Sequence, residues 1–124
     1  DPQAFSDALG AIRRERAGAL LVLPDAGFYS GPLLIAAVEG RIPTVSTHRG
    51  FVSGGGLMAY GPHRLEMVRR VAAYMDRLLK GAKPTDLPVE QPTRYELVVS
   101  LTTAKALGLT IPQSILVRAD EVVR

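Results

Sequence analysis

Two loops and one glycine run hold the residues of this chain whose types could do chemistry. The first loop, PDAGFYSG (24–31), carries Asp25, Phe28, Tyr29 and Ser30. The second, THRGFVSGGG (47–56), carries Thr47, His48, Arg49 and Phe51 and ends in Gly54, Gly55 and Gly56. Glycines in a row let a backbone close on a phosphate or turn sharply. A Walker-type loop follows its glycines with Lys and then Ser or Thr, to reach phosphate and magnesium; here Leu57 and Met58 follow. A dinucleotide fingerprint opens a helix directly after a strand, whereas these glycines precede a strand candidate and the next helix starts beyond Pro62. Nucleotide chemistry fails on both counts, which leaves a hinge or crossing of the chain.

Hydrolytic and metal chemistry are poorly provided for. His48 and His63 are the only imidazoles, and no serine sits in a G-x-S-x-G elbow. Two separated histidines with scattered carboxylates do not make a metal site, and the absence of cysteine removes thiolate ligands and disulfides. No catalytic residue, metal or cofactor is expected. One enzyme reading stays open as an alternative, a small α/β enzyme using His48 or Asp25 as an acid–base group, because loops after strands often carry function. What the two loops offer together is aromatic faces, hydroxyls, one guanidinium and one carboxylate. That set suits a small zwitterion or carboxylate. The aromatic side chains would equally plug the end of a sheet.

The elements that must position these loops follow from periodicity. Phe5, Ala8, Leu9 and Ile12 recur at helical spacing, so 2–16 reads as an amphipathic helix with Pro2 in its first turn and Gly18 after its end. ALLVL (19–23) is apolar throughout and bounded by Gly18 and Pro24, the pattern of a strand buried on both faces. A helix from Pro32 to the stop at Gly40 and a strand IPTVS (42–46) complete the rhythm of a βαβ layer. A short strand at 57–60 precedes a long helix whose stripe is Leu65, Val68, Val71, Ala72, Met75, Leu78 and Leu79. Gly81 and Pro84 close that helix, and the proline-rich 83–93 is an extended connector. A strand at 95–99, a helix at 101–107 capped by Ser100 and stopped by Gly108, and a tail with a helical turn and an extended piece finish the chain.

The composition narrows the classes. With 124 residues, 47% apolar and 22% charged, the chain can build one modest domain with a core and is not a disordered polymer. No apolar run is long enough to span a membrane, and residues 1–12 lack a signal-peptide pattern. The net charge of +3 is spread over helix faces without interleaved aromatics, which argues against nucleic acid as a partner. The chain begins at Asp1 and runs straight into a helical pattern, as expected of a processed or excised piece.

The words GGLMAYGP, then LLKGAKPTDLPVEQPTRYELVVSLTTAKALGLTIPQSILVRADEVV, resemble the C-terminal part of ABC-transporter substrate-binding proteins of the TrpX-like family. The resemblance covers essentially the whole chain. It implies an α/β fold with a parallel sheet flanked by helices, a class I periplasmic-binding-protein-like lobe that is incomplete relative to the two-lobed family. It also implies a non-catalytic solute-binding component of an ABC importer. Such a component binds a small organic solute, an amino acid or related carboxylate with aromatic ones included, in an inter-lobe cleft and delivers it to a permease. Residues implied for that cleft are Asp25, Phe28, Tyr29, Thr47, Arg49 and Tyr60, with Arg49 the partner of a ligand carboxylate. The implied location is the periplasm, or a lipoprotein anchor outside the cytoplasmic membrane. A ligand-sensing regulatory domain on the same scaffold is a further alternative. Two departures stand out: an acidic residue common in the family is replaced by Gly50, which can alter ligand choice, and Ser100 stands where Asn is common.

By analogy with a two-lobed fold, 1–53 and 93–124 are expected to form one lobe, with 57–80 as a crossing strand–helix unit and 54–56 and 84–93 as hinges. The apolar stripe of the 57–80 segment would then lack its usual cover, so a homodimer through that segment is expected.

Overall fold

The structure, a computed structural model, describes residues 2–23 and 40–124. The described residues divide into two compact units, the first ending at Gly61 and resuming with Leu97–Arg124, the second being Pro62–Glu96.

Unit 1 begins with helix α1 (Pro2–Arg14), with Arg13 and Arg14 in the last turn beside its carbonyl ends. The helix stops before the expected Gly18. Arg16 takes a left-handed φ of 53°, its N–H donates to Arg13 O, and Ala17 N–H donates to Ile12 O at 3.1 Å. These are the paired bonds of a Schellman ending, made here by an arginine in the place glycine usually takes. Strand β1 (Leu20–Val22) pairs parallel with β2 (Thr44–Ser46), Leu20 opposite Thr44 and Val22 opposite Ser46. Where burial on both faces was expected, Leu21 is 64% exposed while Val22 is buried. Strand β1 ends the strand order, and side chains alternate between faces, so the described elements cover only the face bearing Leu20 and Val22.

A four-residue helix, α2 (Gly50–Ser53), interrupts what the sequence predicts as a loop. It forms because Phe51 and Val52 both find cores: Phe51 packs with Val22, Leu9 and Leu20, and Val52 with Ala59, Val98 and Val123. The glycine run turns the chain out of this helix. Gly55 adopts a φ of 108°, which favours glycine strongly, and Gly56 N–H donates to Phe51 O at 2.9 Å. The run therefore lies within unit 1, while the chain passes between the units after Gly61 and after Glu96.

Strand β3 (Met58–Pro62) follows, parallel to β2, with Val45 opposite Met58 and Ser46 opposite Ala59. Strand β4 (Tyr95–Ser100) pairs parallel with β5 (Glu121–Val123). Between β3 and β4, Ser100 N–H donates to Leu57 O at 2.9 Å and His63 N–H to Arg94 O at 3.0 Å. The start of one strand thus meets the end of the other, and they run antiparallel. Among the described residues the result is a mixed five-stranded sheet in the order β1-β2-β3-β4-β5, flanked by helices. The antiparallel pair has a simple cause: the chain leaves unit 1 along β3 and returns along β4, its neighbour.

Helix α4 (Leu101–Leu107) starts as expected, with Ser100 Oγ accepting from Thr103 N–H at 3.0 Å. Its far end receives Arg41, whose guanidinium donates to Ala106 O at 2.8 Å. A short helix, α5 (Gln113–Leu116), leads into β5.

Unit 2 is built on helix α3 (Arg64–Leu79), whose start is capped by His63 Nδ1 accepting from Glu66 N–H at 3.4 Å. No residue of α3 is buried, and Leu65, Val68, Val71, Met75 and Leu79 are each at least half exposed. The connector is strapped to the helix by Tyr74, which donates to Pro88 O at 2.7 Å, and by an Arg70–Glu90 ion pair at 3.0 Å. Its first turn is a 3₁₀ turn at Pro84–Asp86.

Candidate functional site

Strand directions decide which residues share an edge. β1, β2 and β3 run parallel and end at one edge of the sheet. β4 runs against β3, and β5 with β4, so both begin at that same edge. The edge therefore collects Thr47, His48 and Arg49 after β2, Tyr60 and Gly61 late in β3, and Asp120 and Glu121 at the head of β5.

Continuing the β2–β3 register by one residue puts Thr47 opposite Tyr60. The next residue, Gly61, lies so close to Thr47 that a Cβ on it would overlap the Thr47 carbonyl oxygen. That contact fixes the loop after β2 against β3. Thr47 is half-buried and Tyr60 is 57% exposed, so the edge offers an aromatic face beside a backbone it cannot leave. His48 is held by its own N–H, which donates to Ser46 Oγ at 3.4 Å. Its imidazole lies over Gly50, where a Cβ would come within 2.9 Å of two ring atoms. The absence of a side chain at Gly50 is what allows that ring position.

Arg49 directs its guanidinium across the edge to Glu121, with which it forms an ion pair and hydrogen bond. Both side chains are about half exposed, at 47% and 45%. Asp120 is committed elsewhere: its carboxylate accepts from Leu97 N–H at 2.8 Å and its own N–H donates to Leu97 O at 2.9 Å, anchoring the head of β5.

Of the six residues expected at a binding site, the structure brings Thr47, Arg49 and Tyr60 to one edge. Asp25, Phe28 and Tyr29 lie outside the described residues. Phe51, named with the same loop, is 5% exposed and belongs to the core. Glu121 was missed by sequence reasoning, since nothing local links it to an arginine 72 residues earlier.

Unit 2 has a cavity of about 20 Å³ lined by His63, Glu66, Met67, Arg70, Pro92, Thr93 and Arg94, room for little more than a water. Beside the strap, desolvation first, then the hydrogen bond and charge of Glu90, hold the Tyr74 hydroxyl above its ordinary value of 10.0. No cluster of His, Cys, Asp and Glu that could hold a metal occurs among the described residues. The edge as built brings a hydroxyl, an aromatic ring and an arginine–glutamate pair together.

A family model described as ABC transporter substrate binding protein matches residues 15–123. Among solved structures, a conserved domain protein from Vibrio cholerae is similar at 27% identity and a TM-score of 0.86, over 95% of this chain and 40% of that one. An ABC domain from Streptococcus pneumoniae, solved in complex with L-Trp, is similar at 26% identity and a TM-score of 0.77, over 90% of this chain and 40% of that one. CD0873, a substrate-binding protein with adhesive properties from Clostridium difficile in its ligand-free open form, shares the fold at 23% identity and a TM-score of 0.59. It covers 98% of this chain and 39% of that one. The chain thus spans about 40% of the length of these structures. No curated protein matches the sequence.

Proposed function

The chain belongs to the ABC transporter substrate-binding protein family, and from that premise we propose that it forms part of the solute-binding component of an ABC importer, non-catalytic and specific for a small organic solute. The observation that carries this reading is the family match, which runs through nearly every described element. The solute class we assign is an amino acid, aromatic ones included. A similar structure is a complex with L-Trp, and the sheet edge of unit 1 presents Tyr60, Thr47 and a guanidinium from Arg49 together. Asp25, Phe28 and Tyr29, in the segment after β1, complete the proposed wall.

In this reading, unit 1, with β3 and its Tyr60, belongs to one lobe, the helix α3 belongs with a second lobe, and the chain crosses after Gly61 and after Glu96. A second lobe closes over the edge, excludes water and commits the solute before release to a membrane permease. The protein then works outside the cytoplasmic membrane, in the periplasm or on a lipid anchor; no described helix is long and apolar enough to cross a membrane. The uncovered stripe of α3 makes a second copy of the chain a further partner, through residues 57–80.

The test is a thermal-shift screen of the L-amino acids against the complete polypeptide. Saturable stabilisation by one or a few of them supports the reading, and no shift from any contradicts the amino-acid class.

A further inference from the structure

We infer that Glu121 is a specificity-determining residue: with Arg49 it forms a receptor for a zwitterion, seen here closed on itself. This rests on the reading of the sheet edge as a solute site. Arg49 and Glu121 lie 72 residues apart in the sequence and meet at the edge that carries Thr47 and Tyr60. A guanidinium and a carboxylate side by side are the two partners that an amino acid's α-carboxylate and α-ammonium require, and they would part to admit them. The contact joins Nη2 of Arg49 to Oε2 of Glu121.

A structural staple is the competing role, and two observations weigh against it. The short helix that follows Arg49 is already held to β5 by Val52, whose cluster includes Val123. The two side chains are also about half exposed, at 47% and 45%, where an ion pair adds little net stability. The pair is therefore cheap to open, and an incoming zwitterion restores both charge contacts. A plain carboxylate restores only one, and must displace Glu121 to do so. A plain amine meets Glu121 but also the Arg49 charge. The geometry thus selects an amino acid over its des-amino acid and over its decarboxylated amine.

Calorimetric titration of the complete polypeptide with L-tryptophan, indole-3-propionate and tryptamine tests this. The unsubstituted protein should prefer L-tryptophan to both analogues by about tenfold or more, tenfold being the low end for one charge-assisted contact. Glu121→Gln should lower L-tryptophan affinity about tenfold and leave indole-3-propionate equal or tighter, so that the preference disappears. Glu121→Asp, which keeps the charge, should keep part of the preference, and unchanged thermal melting would show that both variants fold. If Glu121→Gln binds L-tryptophan with the same preference over indole-3-propionate, the assignment of Glu121 is overturned while the solute-binding reading stands. If the unsubstituted protein binds none of the three probes and no L-amino acid shifts its melting, both are overturned.

Discussion

Gly61 on β3 lies against the carbonyl of Thr47, in the position where any side chain would overlap that oxygen. The relationship holds the loop after β2 to the strand along which the chain leaves unit 1. It makes Gly61→Ala a test of how tightly the edge is built. The substitution should destabilise the protein by about 1–3 kcal/mol, the scale of overpacking against a backbone that cannot move aside. Urea unfolding measures it, and a cost near zero would show that β3 and the loop separate easily.

Phe51 tests the core beneath that edge. It is 5% exposed and packs with Val22, Leu9 and Leu20. Phe51→Ala should cost about 3–5 kcal/mol, from lost burial and the cavity left behind. A loss under about 1 kcal/mol in urea unfolding would mean that α2 is not anchored by this side chain.

The exposed stripe of α3 predicts association. Leu65, Val68, Val71, Met75 and Leu79 lie along one helix with none of them buried. The 124-residue chain should sediment as a dimer or larger, and the double substitution Val71→Lys, Met75→Lys should shift it to monomer. A monomeric unsubstituted chain would remove the second copy as a partner.

Tyr74 predicts a pH effect confined to unit 2. Its hydroxyl titrates above 10.0 because of desolvation and the neighbouring Glu90. A raised folded-state value means that its contribution to stability is full below 10.0 and is lost as the pH rises through the folded-state value. The tyrosinate absorbance difference between the protein and Tyr74→Phe should therefore rise later than in a model tyrosine. A midpoint at or below 10.0 would show that the burial of Tyr74 beside Glu90 does not persist in solution.

Much of this fold is legible in the sequence, and the reasons differ by element. Helix α4 carries its own start and stop in Ser100 and Gly108, and α3 its stripe and Gly81, so local chemistry is enough to place both. Helix α2 is hidden because four residues have no periodicity to read; it exists only because Phe51 and Val52 reach different cores. Strand direction is also silent locally, so the antiparallel β3–β4 pair emerges only from the chain's path out of unit 1 and back. At the site, loops after parallel strands point to Thr47 and Arg49 by a general rule of α/β sheets. Glu121 escapes that rule, since it stands at the head of a strand of the opposite sense.

The central claim is that this edge binds an amino acid through Arg49. Calorimetric titration of the complete polypeptide, unsubstituted and as Arg49→Ala, with the amino acid that most raises its melting temperature tests that claim most directly. The account predicts saturable binding that weakens roughly a hundredfold in Arg49→Ala, the loss of one charge-assisted contact of about 2–3 kcal/mol. Equal affinity in the two proteins, with both folded, would contradict it.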